Sequence, residues 1–124
     1  MMTRRAPAPL GTAYARGADF ERRVRDVLTA QGWQVLRSAG SHSPVDLVAW
    51  SPVEEPYGSR CWMVQAKRSG VPSAGDRVAL LAWAARADAL AVLVRPRWRG
   101  LDWRRWDDRA RRWVPLALAD PWEI

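Results

Sequence analysis

Two apolar runs, Val45 to Trp50 and Cys61 to Arg68, are joined by the nine-residue turn segment SPVEEPYGS at 51–59, and this pair constrains the fold more than any other feature. Runs of this length, rich in Val, Ala and Trp, read as strands. A connection this short joins antiparallel neighbours. If Trp50 pairs near Cys61, paired numbers sum to about 111, so Asp46 falls opposite residue 65, give or take one. Gln65 and Lys67 are two apart and share a strand face, while Val64 and Ala66 point the other way into apolar packing. An aspartate at the mouth of an apolar run, costly to desolvate alone, therefore meets an amide and an ammonium.

That ammonium is unusual. Lys67 is the single lysine among twenty basic Lys and Arg side chains. Lysine is a compact point charge whose pKa can move, chemistry that arginine does not offer. A second carboxylate can join the group. Glu21 flanks the helical stripe of Phe20, Val24, Val27 and Leu28 and looks toward the sheet. A loop with Gly40, Ser41 and Ser43 runs into Asp46 and can bring hydroxyls and N–H groups close.

The rest of the chain follows the same reading. The periodicity predicts a helix from Gly17 to Gln31, ended by Gly32. Strands follow over 33–37, 45–50 and 61–68, then a helix capped by Ser73 and running to about Ala87, then a short apolar strand over 90–95. The helix between the third and fourth strands suits a crossover. Trp113 to Leu118 suits a last edge strand, with the Arg- and Trp-rich segment 95–113 before it read as a tail. The class is α/β: a mixed central β-sheet flanked by helices. Residues 1–12 read as a flexible basic leader and 13–124 as a single domain, a length that buries a core without staples.

Composition narrows the function. The formal charge of +7 is spread along the chain, which favours a basic face for a polyanion, nucleic acid first. The apolar run 80–94 is broken by Arg86 and Asp88, so no membrane span is expected, and no signal peptide is evident. One cysteine, Cys61, suits a reducing, cytoplasmic setting and reads as a small buried strand residue. His42 reads as a surface residue. Trp83, among Leu80 and Leu81, reads as core, whereas Trp98, Trp103 and Trp106 read either as platforms for exposed bases or as a dimer seam. The set of Asp46, Gln65 and Glu21 offers hard oxygen donors for Mg²⁺, with Mn²⁺ as a substitute. A lysine beside such an ion orients a water or steadies charge on phosphorus. In a basic protein, that chemistry points to a phosphodiester.

These residues resemble the PD-(D/E)xK nuclease pattern: Asp46 after Pro44 and Val45, then Gln65-Ala66-Lys67. The wider context, YARGADFERRV at 14–24, GWQVLRSAGS at 32–41, VDLVA at 45–49 and VQAK at 64–67, resembles the archaeal-type Holliday junction resolvases over roughly residues 14–97. The resemblance implies a restriction-endonuclease-like core and a homodimer that cuts four-way DNA junctions in paired nicks with Mg²⁺. It implies that Asp46, Gln65 and Glu21 hold the metal, that Lys67 is the motif lysine, and that Ser41 is a catalytic loop serine, with Ser43 as the alternative. Arg22 and Arg37 match basic residues tied to DNA, and Arg16 and Arg68 are further candidate DNA contacts. Gln65 departs from the pattern, because that family usually carries glutamate there. Alternatives are another DNA nuclease of this fold, of restriction or repair type, and a DNA-binding module that does not cleave.

Overall fold

The helical stripe of Phe20, Val24 and Leu28 is the inner face of a helix longer than the periodicity predicts. The computed structural model describes residues 8–38, 43–53 and 60–118. In it, α1 spans Ala8–Ala30. Ala and Leu are strong helix formers and Pro9 is tolerated in a first turn, so the helix reaches back into the segment read as a leader. Residues 1–7 of that leader lie outside the described residues. The C-terminal end follows the glycine rule: Gly32 has φ 91°, its N–H donates to the Thr29 carbonyl (3.0 Å), and the Trp33 N–H reaches back to Leu28 O (3.1 Å). This is a Schellman closure, which needs the left-handed conformation that glycine adopts cheaply.

Six strands form one sheet in chain order: β1 (Gln34–Arg37), β2 (Leu47–Trp50), β3 (Cys61–Ala66), β4 (Leu90–Arg97), β5 (Gly100–Asp107) and β6 (Arg112–Pro115). Only β3 and β4 run parallel, and α2 (Ala74–Arg86) makes their crossover. Ser73 caps α2 by accepting from the Asp76 N–H at 3.1 Å, as the sequence predicts. The β2–β3 register has Trp50 opposite Cys61 and Leu47 opposite Val64, each pair summing to 111.

The helices cover opposite faces. On the α1 side, Phe20, Val24, Leu28, Leu47, Ala49, Trp62, Val64, Val92 and Val94 form the larger core. On the α2 side, Leu80 and Ala84 pack with Val45 and Ala91. The mixed sheet between two helical layers is the expected α/β architecture.

Three sequence expectations change. The segment 95–113 is no tail but the end of β4, all of β5 and the start of β6. Leu101 and Trp103 alternate with Asp102 and Arg104 and bury on one face, a period-2 signal masked by arginines. The last strand is Arg112–Pro115 rather than 113–118, although the Leu116 N–H still donates to Trp103 O (2.9 Å) in the register of the Arg104–Pro115 pair. Trp83 is 50% exposed, not core. The inward positions of α2 go to Leu80 and Ala84, and a residue next to Ala84 is rotated about 100° away from it.

The tryptophans divide accordingly. Trp33, Trp62 and Trp103 form a row in the core, with ring centroids 4.5 and 6.0 Å apart. Trp106 stacks edge-on against Trp113 (5.4 Å) under the Arg77 guanidinium (4.9 Å). Trp103 is thus neither a seam nor a stacking platform.

Candidate active site

Asp46 sits where the loop after β1 becomes β2, and the ladder is displaced there. Its N–H donates to the carbonyl of Val64 (2.8 Å), the residue that already faces Leu47. Such a bulge re-aims a side chain at the end of a strand. The Asp46 carboxylate turns back onto the neighbouring strand, and Oδ2 accepts the N–H of Ala66 at 2.9 Å. The acid is therefore clamped between Gln65 and Lys67, as the register predicts. Upstream, the Ser43 hydroxyl accepts the Val45 N–H (3.0 Å) and shapes the approach to Asp46.

Burial pushes the Asp46 carboxyl up to about 6, and the negative charge of Glu21 adds to the effect. The Ala66 N–H and the charges of Lys67 and Arg37 pull the other way without prevailing. Four charged side chains from α1, β1, β2's approach and the end of β3 thus share one electrostatic neighbourhood. Lys67 lies one residue past β3 but stays tied to the sheet, its N–H donating to Val94 O at 2.9 Å. Glu21 is engaged as well: the Arg37 Nε donates to its Oε1 at 3.0 Å, and both side chains are about three-quarters buried. Arg37, expected as a DNA contact, is held here as the counter-charge of Glu21.

Gln65 adds a second feature to the site. Its Oε1 is buried and has no hydrogen-bond partner. A buried acceptor left unmade costs about 1–3 kcal/mol. A hard cation or its bound water satisfies such an oxygen, and it also suits the raised carboxyl of Asp46 and the nearby Glu21. No group of three or more His, Cys, Asp and Glu residues placed to hold a metal occurs among the described residues. The oxygen donors that would hold an ion here are two carboxylates and one amide, a set whose chemistry fits Mg²⁺.

Of the other expected site residues, Arg16 and Arg22 stand outside this cluster on α1. Arg22 pairs along the helix with Asp19 (3.2 Å) and is half exposed. Arg16 is exposed on α1. Ser41 lies outside the described residues. Arg68 is exposed and lines a cleft of about 420 Å³ with Arg95, Arg97 and Arg104. Sequence reasoning missed this cleft. At its wall, Arg95 and Arg104 both donate to Asp102 at 3.0 Å. Burial raises the Asp102 carboxyl, but those bonds and charges outweigh it and hold the pKa below the ordinary carboxylate value. The alternation of residues 101–104 was the signal available for this cluster.

The fold is thus an α/β sandwich, a mixed sheet covered on both faces, with a bulged aspartate and the chain's one lysine brought together where β2 begins and β3 ends. The model of the archaeal Holliday junction resolvase family (Hjc) matches residues 12–58, a segment that holds Glu21, Arg37 and Asp46 and stops before β3. Among solved structures, the fold is similar to that of Hjc from Archaeoglobus fulgidus, a Holliday junction resolvase from an archaeal hyperthermophile, with a TM-score of 0.55, 23% identity, and coverage of 70% of this chain and 72% of that one. No curated protein matches the chain. The resemblance to the archaeal-type resolvases read from the sequence is borne out by the family match, and the fold agrees with it.

Proposed function

We propose that this protein is a structure-selective DNA endonuclease that resolves four-way junctions by metal-dependent phosphodiester cleavage. The observation that carries this reading is the Asp46 carboxylate, held against the Ala66 amide, raised to about 6 and placed beside the chain's one lysine and the Glu21–Arg37 pair. Asp46 and the Gln65 amide oxygen would bind Mg²⁺ directly, with Glu21 close by. A divalent ion there would supply water activation and offset charge on the scissile phosphate. Lys67 orients the attacking water and faces the charge that grows on phosphorus. Arg37 keeps Glu21 in place, and the exposed arginines hold the phosphate backbone without reading sequence. Ser41 is a further catalytic candidate on the loop before Asp46.

Two cuts placed symmetrically need two sites related by a two-fold axis. An unfilled apolar stripe on α2 supports a homodimer: Ala79, Ala82, Trp83 and Arg86 border a cleft of about 510 Å³ with Met63 of the sheet. Trp83→Glu should convert a dimer into a monomer, raising the dissociation constant by about 30-fold or more. Analytical ultracentrifugation reads this directly, and unlinked single nicks should replace paired ones. No helix among the described residues is long and apolar enough to cross a membrane, and a cytoplasmic setting follows from the DNA substrate.

Incubation of labelled four-way junction, duplex and single strand with Mg²⁺ tests the reading. Paired nicks confined to the junction support it, whereas duplex cleavage supports a restriction- or repair-type nuclease. The amide at 65 is what favours the remaining reading, a DNA-binding protein that does not cut. Gln65→Glu decides that point. One added charge beside the ion should lower the Mg²⁺ concentration for half-maximal cleavage by about ten-fold or more. It should also lower stability without metal, because a third carboxylate joins Asp46 and Glu21. A thermal melt in EDTA and a metal titration check the two halves.

A further inference from the structure

The end of β4 runs past the candidate active site. Ala66 pairs with Val94, the Lys67 N–H still bonds to Val94 O, and there the chain of β3 leaves the sheet. β4 continues to Arg97 and turns back through Trp98 and Arg99 into β5, with Arg97 facing Gly100. Four residues beyond Val94 at about 3.3 Å each bring the turn roughly 13 Å from the lysine along the strand.

The composition of this turn opposes its setting. Trp98 is 84% exposed, the most exposed of the large apolar side chains among the described residues. It is flanked by Arg97 and Arg99, and the Arg99 guanidinium lies 5.4 Å from its ring centroid. Arg99 has φ 60°, a left-handed conformation that a glycine would adopt more cheaply. Between the turn and Lys67 lies the cleft of Arg68, Arg95, Arg97 and Arg104, with Gly70 O accepting from Arg95 at 3.2 Å. Arg68 and Arg97 thus leave exposed guanidinium groups between Lys67 and an indole held in solvent, while Arg95 and Arg104 are held on Asp102 in the cleft wall.

We propose that the β4–β5 turn is a branch-point reader, in which Trp98 stacks on a base face exposed where the junction arms meet while the arginine cleft grips the intervening phosphates. This rests on the junction-nuclease reading and adds a means of selecting the substrate. In continuous duplex every base face is covered by its neighbour, so an indole finds no platform. At an open crossover the terminal pairs present free faces, and aromatic stacking is tolerant of sequence. Positive charge on both sides of the indole brings it to the phosphates. Two nearby tryptophans of β5 do not compete for the role: Trp103 is in the core, and Trp106 lies against Trp113 beneath Arg77.

The test measures affinity of the full chain for a four-way junction and for duplex of equal length, in EDTA at one fixed salt concentration, for the parent, Trp98→Ala and Trp98→Phe. A side chain this exposed leaves the melting temperature unchanged, which a thermal scan verifies. Trp98→Ala should lower the junction-over-duplex affinity ratio by about ten-fold or more. Trp98→Phe should keep most of it. A ratio unchanged in Trp98→Ala overturns the proposal while leaving the nuclease reading intact. Equal loss of junction and duplex binding overturns it too, since the indole is then a general DNA contact. Trp98→Phe behaving as Trp98→Ala overturns the stacking. A parent without preference for the junction sinks the nuclease reading, and the branch-point reader with it.

Discussion

Asp46→Asn should lose cleavage by about 1000-fold or more, since it removes the anionic ligand on which the proposed metal would depend. It should keep the parent's junction affinity in EDTA, because the arginines that hold phosphate are untouched. The same change should make the protein more stable near pH 8. The folded-state pKa of Asp46, about 6, lies above the ordinary 3.8. The folded protein therefore holds this proton more tightly than the unfolded chain does. The stability from that difference is fully present below about pH 4 and is lost as pH rises through 6. Above that pH the parent carries a buried, repelled carboxylate. Asparagine carries none, and its carbonyl can still accept the Ala66 N–H.

Each pH unit of such a rise corresponds to about 1.4 kcal/mol. Allowing for partial solvent access, the gain for Asp46→Asn should be about 1–2 kcal/mol at pH 8, a few degrees of melting temperature. It should vanish near pH 4. A metal held by Asp46 would enter the same balance, because its binding would displace the Asp46 proton below about pH 6 and so weaken as the medium acidifies. Melting curves at pH 4 and pH 8, beside a junction-cleavage assay, check the prediction. Asp46→Asn cutting as well as the parent would falsify the site.

Lys67→Ala should lower cleavage by about 100-fold or more with Mg²⁺ saturating, the range for a positioned proton-transfer group. Lys67→Arg separates charge from chemistry. Arginine keeps the cation but cannot give up a proton, and its planar fork does not reproduce a point charge. If Lys67 orients or deprotonates water, Lys67→Arg should stay near the alanine level. Recovery of most of the parent rate would instead mean that a positive charge alone suffices. Both variants should bind the junction in EDTA, and single-turnover cleavage separates them from a binding defect. Removing Lys67 also removes one of the groups that lowers the Asp46 pKa. The acid limb of the rate profile should therefore move to higher pH if Asp46 must be ionised to hold metal.

Much of this site was legible in the sequence. A period of two and a nine-residue connection predicted the β2–β3 register, and the register brought Asp46 to the Gln65–Lys67 strand, because pairing in a hairpin is set by local geometry and alternation. Gly32 announced the end of α1 for a backbone reason that is equally local. Glu21 could be placed toward the sheet because a helical stripe has one inner face. Tertiary packing decided the rest. Alternation says that Leu101 and Trp103 share a face, but the charged residues around them, Asp102, Arg104 and Arg105, hid the strand until β4 supplied its partner. An arginine's reach exceeds the spacing of any one element, so nothing local could pair Arg37 with Glu21 or bring Arg95 and Arg104 onto Asp102. Nor could composition sort the tryptophans: an indole is equally at home in a core, on a helix surface or at a turn, and only the assembled sheet buried Trp62, left Trp83 half open and held Trp98 in water.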